Sequence, residues 1–247
     1  MPSITELVCA LGLAGNLVGR TGFCVHPKSA LRGVPKIGGT KTADIEKIRE
    51  LAPTHVIVNI DENTEATAIA LANFVPHLIV THPLSPLDNV ALYRLLGGIF
   101  QREIQADELV ASFTGVYERV LAAHRASARV QVLYLIWRQP WMTVSRDTYV
   151  SRTLALIGLE TVPAVNTARY PEIELEAAAR DAEVILLSTE PYSFREKHLA
   201  ELRALPFLAR VRVELIDGEM TSWYGPRAIL GMDYLDALRR KLDTHIQ

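Results

Sequence analysis

Leu109-Val110-Ala111-Ser112-Phe113-Thr114-Gly115-Val116-Tyr117-Glu118-Arg119-Val120-Leu121 is the stretch whose reading decides the fold. Leu109, Phe113, Val116 and Val120 fall on one helix face, with Val110, Tyr117, Leu121 and His124 beside them. The surrounding segment, from Asp88 to about Ala126, carries almost no turn chemistry; only Gly97-Gly98 and Gly115 weaken it. A helix of about 20 residues spans about 30 Å, the width of a small domain. The expectation is a spine at 88–126 that joins an α/β lobe at 1–87 to a second at 127–247, with a ligand cleft between them.

Outward from the spine, both flanks alternate strands and helices, the pattern of parallel sheets. In the first half, helices are expected from near Ile4, over Thr42 to Leu51, and from Glu62 or Asn63 to Phe74. Strands are expected at Leu17–Arg20, His55–Ile60 and His77–Val80, with a loop from Thr21 to Arg32. In the second half, the strands are Val130–Ile136, Val184–Leu187 and Arg212–Ile216. Its helices are Tyr149–Ile157, Glu172–Arg180, Phe194–Leu205 and Pro226–Leu242. Apolar runs such as His55-Val56-Ile57-Val58 suit strands covered on both faces. The segment from Ile45 to Val80 and that from Leu175 to Leu215 repeat one order of helix, strand, polar turn, helix and strand. Each lobe then presents strand C-termini, where open α/β sheets bind ligands.

At 247 residues, 49% hydrophobic and 22% charged, the chain holds enough material for one large domain or two small ones. A net charge of −2 with scattered Lys and Arg forms no basic stripe, so no nucleic-acid partner is indicated. No apolar run approaches the roughly 20 residues of a membrane span, so no membrane insertion is expected. Cys9 and Cys24 form neither a CxxC nor a disulfide framework; two buried thiols or one bridge fit.

Four pieces in order resemble one family: Pro2-Ser3-Ile4-Thr5-Glu6-Leu7; Leu17-Val18-Gly19-Arg20-Thr21 with His26-Pro27; Pro35-Lys36-Ile37-Gly38-Gly39-Thr40; and Leu51-Ala52-Pro53-Thr54-His55-Val56-Ile57-Val58. Together with Trp223-Tyr224-Gly225-Pro226-Arg227 they are similar to the helical-backbone metal receptor class of substrate-binding proteins. Those are the vitamin B12, ferric siderophore and haem binding components of ABC importers. The resemblance implies two α/β lobes on one long helix, small closing motion, and a corrinoid such as cobalamin as ligand, with ferric siderophore or haem as alternatives. It also implies an ABC transporter permease as partner, docked through acidic residues on each lobe. Glu65 matches that position in the first lobe, and Glu196 is its counterpart by internal correspondence. A monomer is expected. Members of the class carry a strand just before the Pro-Ser-Ile-Thr-Glu motif, so the first lobe is expected to lack an edge or central strand. The setting is periplasmic if an export signal precedes Met1 and cytoplasmic otherwise.

A large, flat, partly apolar chelate needs aromatic faces and a few hydrogen-bond donors. The loops facing the expected cleft supply Phe23, Trp137, Trp141, Tyr170, Tyr192, Trp223 and Tyr224, with Arg138 as a partner for a carboxylate or amide. Ser3 and Thr5 open the first helix beside the cleft, and His26 is the first residue to test as a ligand to cobalt or iron. Enzyme signatures are weak. Gly38-Gly39-Thr40-Lys41 lacks P-loop spacing, no GxSxG elbow is present, and His77 and His82 match no zinc pattern. No catalytic cofactor is expected. The reading from another class is a cytoplasmic corrinoid-handling or chelatase-like protein that uses the same cleft.

Overall fold

The computed structural model describes residues 1–164 and 167–244, which divide into two compact units. One comprises Met1–Pro83, Leu87–Phe113 and Tyr224–Arg227; the other comprises Leu84–Pro86, Thr114–Trp223 and Ala228–Gln247.

The first unit opens with α1 (Pro2–Ala10), followed by α2 (Ile45–Glu50), β1 (His55–Asn59), α3 (Glu65–Ala72) and β2 (His77–Thr81). Asp44 and Thr64 start α2 and α3 by accepting the backbone N–H of Lys47 and Thr67, as N-cap side chains do. β1 and β2 pair in parallel, His55 opposite His77 through Asn59 opposite Thr81. Ile48, Val58, Leu71 and Val75 form the core against them.

Leu17–Arg20 is not a strand. Among the described residues its only pairing is an isolated bridge between Arg20 and Lys36. Between that segment and β1 lies a largely apolar cavity of about 460 Å³, lined by Leu17, Val18, Ile37, Val56 and Ile57 among others. The His77 N–H donates to Thr54 O, and the Ile60 N–H to Thr81 O. In a parallel ladder this turns the even-numbered residues of β1 toward β2 and the backbone groups of His55 and Ile57 away from it. That side of β1 has no strand partner among the described residues.

The expected spine is two helices, α4 (Asp88–Ile99) and α5 (Glu103–His124). Gln101, with φ of 54°, reverses the chain, and the Arg102 N–H returns to Gly97 O at 2.7 Å. The reversal needs Gly97, since a Cβ there would lie 2.5 Å from the Ala106 Cβ. On the predicted face of α5, Phe113 and Val120 are buried and Leu109 and Val116 half-buried; beside it His124 is buried and Leu121 exposed, and Ala106 joins the buried side. At 22 residues α5 spans about 33 Å, the width of a small domain.

The second unit continues with β3 (Val130–Leu135), α6 (Tyr149–Ala155), β4 (Leu159–Thr161), α7 (Leu175–Ala179), β5 (Val184–Ser188), α8 (Glu196–Arg203), β6 (Arg212–Ile216), α9 (Gly218–Ser222) and α10 (Arg227–Asp243). Its parallel sheet has the order β4-β3-β5-β6. β4 and α9 were not expected from sequence, and the expected helix from Glu172 shortens because the Glu174 carboxylate caps at Glu176 and Ala177. Every residue of β5 is buried, as its apolar run foretold. The architecture is the expected α/β fold with parallel sheets, and no described helix is long and apolar enough to cross a membrane.

Candidate functional site

In the second unit, strand order decides where a ligand is received. The chain leaves β3 toward β4 on one side, then returns past β3 to β5 and continues to β6 on the other. Right-handed crossovers therefore put α6 and α8 on opposite faces and open a crevice at the C-terminal ends of β3 and β5. The loops that leave those two ends carry Trp137, Arg138 and Trp141 after β3, and Tyr192 after β5.

Both loops are built rather than slack. The first folds back as a hairpin: the Ile136 N–H donates to Met142 O at 3.0 Å, and the Met142 N–H to Trp137 O at 3.2 Å. The Tyr192 N–H donates to Ile136 O at 3.3 Å and ties the second loop to the first. On this frame Trp137 meets Tyr192 edge to face at 5.5 Å, and Trp141 lies parallel to Phe194 at 6.2 Å. His198, buried in α8, touches the rings of Tyr192 and Phe194. Burial, with Lys197 nearby, lowers the His198 pKa, and its Nδ1 accepts the Arg195 N–H at 3.0 Å. Trp137 remains 40% exposed and Trp141 and Tyr192 are half-buried, so the cluster is a supported aromatic shelf. Arg138 lies 5.7 Å from the Trp141 ring and pairs with Glu201. The sequence reading left it for a ligand; Glu201 already holds one end of its guanidinium, and its remaining N–H groups are the donors on offer.

Beneath the shelf is a buried polar knot. The Tyr134 hydroxyl donates to Ser188 Oγ at 2.9 Å and lies 2.8 Å from Thr221 Oγ1. Burial pushes its pKa up to about 12, which removes it as a proton carrier near neutrality. The Trp223 indole N–H donates to Glu190 at 2.7 Å, and the ring is only 6% exposed. Trp223 is thus a wall of the core and not an open face. Tyr170, 38% exposed, lies on the segment that pairs with the chain after Trp141, where the Thr143 N–H donates to Pro171 O and the Ile173 N–H to Trp141 O.

In the first unit, Ser3, Thr5 and Tyr224 are buried. The Thr5 hydroxyl donates to Cys24 Sγ at 3.1 Å, and the Tyr224 hydroxyl to Met1 Sδ at 3.7 Å. Neither Thr5 nor Ser3 presents itself as a surface group. Cys24 is buried, Cys9 is half-buried, and both are free thiols. Phe23, 65% exposed, and the half-buried His26 ride on the loop that closes through the Arg20 and Lys36 bridge. Glu65 is the exposed first residue of α3, which follows β1, and Glu196 is the exposed first residue of α8, which follows β5. The two acids hold equivalent places in their own sheets. Among the described residues no group of three or more His, Cys, Asp or Glu converges as metal ligands. Sequence reading missed His198 and, with it, Phe194 and Glu201, whose partners Trp141 and Arg138 lie 53 and 63 positions away along the chain.

Comparison with known proteins agrees with this fold. The profile of a family described as periplasmic binding protein matches residues 1–213. An uncharacterized ABC transporter substrate-binding lipoprotein of Bacillus subtilis (strain 168), YvrC, is 24% identical over 247 residues, which is 95% of this chain and 76% of that one. The periplasmic vitamin B12 binding protein BtuF of Vibrio cholerae shares the fold with a TM-score of 0.85 at 17% identity, over 98% of this chain and 95% of that chain. The periplasmic haem-binding protein RhuT of Roseiflexus sp. RS-1 gives 0.83 at 22% identity, over 97% and 95%.

Proposed function

This chain belongs to the periplasmic binding protein family and is a substrate-binding protein of the kind that serves ABC importers; we propose that its cargo is a metal-chelate cofactor, with a cobalamin-like corrinoid first. The observation that carries the reading is the shelf of Trp137, Trp141 and Tyr192 at the crevice of the second sheet. A corrin or porphyrin offers a broad apolar face with polar edges. Ring stacking receives the face, and the spare N–H groups of Arg138 receive the edges. BtuF is a vitamin B12 binding protein and RhuT a haem-binding protein, and both share this fold. Haem and ferric siderophores therefore stand as the alternative cargoes.

In this reading Phe23 and His26 supply the first lobe's contribution, with His26 as an axial ligand when the chelate leaves a metal position open. Ser3, Thr5, Trp223 and Tyr224 act as packing behind the contact surface. Tyr170 contributes a further aromatic contact. Glu65 and Glu196 dock a permease, α5 serves as the spine between the lobes, and the protein works as a monomer outside the cytoplasmic membrane, as a lipoprotein relative does. No catalytic step belongs to it.

Titration with cobalamin, haem and a ferric siderophore in parallel tests the proposal. The expected result is an absorbance shift and tryptophan quenching at micromolar cobalamin. Silence with all three chelates would sink the metal-chelate reading, and a response to haem alone would replace the corrinoid.

A further inference from the structure

We propose that the loop from Arg20 to Lys36 is a binding site for a multivalent oxyanion of the polycarboxylate type, built by the first unit alone. The loop is closed at its neck, where the Arg20 N–H donates to Pro35 O and the Ile37 N–H to Arg20 O, both at 2.9 Å. Inside it is a cavity of about 330 Å³, with the buried Cys24 and Leu31 among its lining residues. Around that floor stand Arg20, Lys28, Arg32 and Lys36, and no Asp or Glu lines the cavity.

Four cations meeting without a carboxylate are unusual in this chain. Arg119, Arg138, Arg146, Arg169, Arg203, Arg212, Arg227, Arg239 and Arg240 all pair with acids. Among the described residues none of the four loop cations does. Arg20 spends one N–H on Cys24 O at 2.9 Å, while its buried Nε has no hydrogen-bond partner. A buried, charged N–H left without an acceptor is costly, and like charges around one cavity repel. An oxyanion seated among the four cations removes the repulsion.

The size of the cavity selects among oxyanions. At about 30 Å³ for each water in the liquid, 330 Å³ is room for roughly ten water-sized groups. Inorganic phosphate fills part of that space, and a tricarboxylate fills most of it. Phe23 and His26 sit on the same loop, so the anion fixes the segment that carries them.

Calorimetric titration of the full chain with citrate, and separately with inorganic phosphate, tests the site. Citrate is expected to bind more tightly than phosphate. Lys28→Glu and Arg32→Glu change exposed side chains, so thermal midpoints stay near wild type while citrate affinity falls at least about tenfold, the worth of one charge-assisted hydrogen bond. Arg210→Glu makes the same charge change far from the loop in sequence and leaves citrate affinity unchanged. Absence of binding by both anions at millimolar concentration overturns the proposal, as does equal weakening by Arg210→Glu. Because the readout is citrate and not a chelate, its failure is separate from failure of the cobalamin titration.

Discussion

At the residue scale, three tryptophans that look alike in sequence have three different fates. Trp137 is open, Trp141 is half-buried on Phe194, and Trp223 is sealed against Glu190. Trp137→Ala is expected to cost only about 0.5–1.5 kcal/mol of stability, the worth of its edge-to-face contact with Tyr192. The same change should weaken chelate binding about tenfold or more, because an aromatic anchor is lost. Trp223→Ala should instead destabilise by about 3–5 kcal/mol through the cavity it leaves. Chemical denaturation and fluorescence titration of the two variants separate these outcomes. Sequence placed all three in loops or at loop edges, and the contact that seals Trp223 comes from Glu190, 33 positions away. A second residue-scale expectation concerns pH. Burial raises the Asp236 pKa, but hydrogen bonds from His124 and Arg240 outweigh it and hold the carboxyl below its ordinary range. A depressed folded pKa contributes stability above the ordinary Asp range that is lost as pH falls through the folded value. Melting temperature should therefore fall on the acid side, and Asp236→Asn should flatten that part of the profile.

At the element scale, α5 was legible because Phe113, Val116 and Val120 repeat with helical period regardless of what covers them. The break before it was not. Gly97 reads equally as a tolerated helix glycine or as a site of close approach, and only Ala106 folding back decides. Gly97→Ala drives a methyl against the Ala106 Cβ, so a loss of about 1–3 kcal/mol is expected by denaturant titration. Gly98→Ala meets nothing within 4 Å and should be neutral or slightly stabilising. β4 escaped notice for a different reason: three residues cannot show a period, and their burial comes from β3. Leu17–Arg20 misled in the opposite direction, since an apolar run qualifies as a strand only when a neighbour offers it a ladder.

At the scale of the whole molecule, the alternation of strands and helices and the repeated order of the two halves carried the fold class. The site was legible only as a set of loops. Which of their side chains face outward depends on strand order β4-β3-β5-β6, and order follows from crossovers that local patterns do not encode. If α5 is the connector, a continuous helix permits little bending, so scattering profiles with and without bound chelate should nearly superimpose. One further consequence follows from that helix. Its first half, with Ala106 and Phe113 buried, belongs to one unit, and its second half, with Val120 and His124 buried, belongs to the other. Melting either unit frees half of a helix on which the other depends, so heat should unfold both in a single cooperative transition. Calorimetry would show this as equal calorimetric and van't Hoff enthalpies, and a protease would find no stable half to liberate.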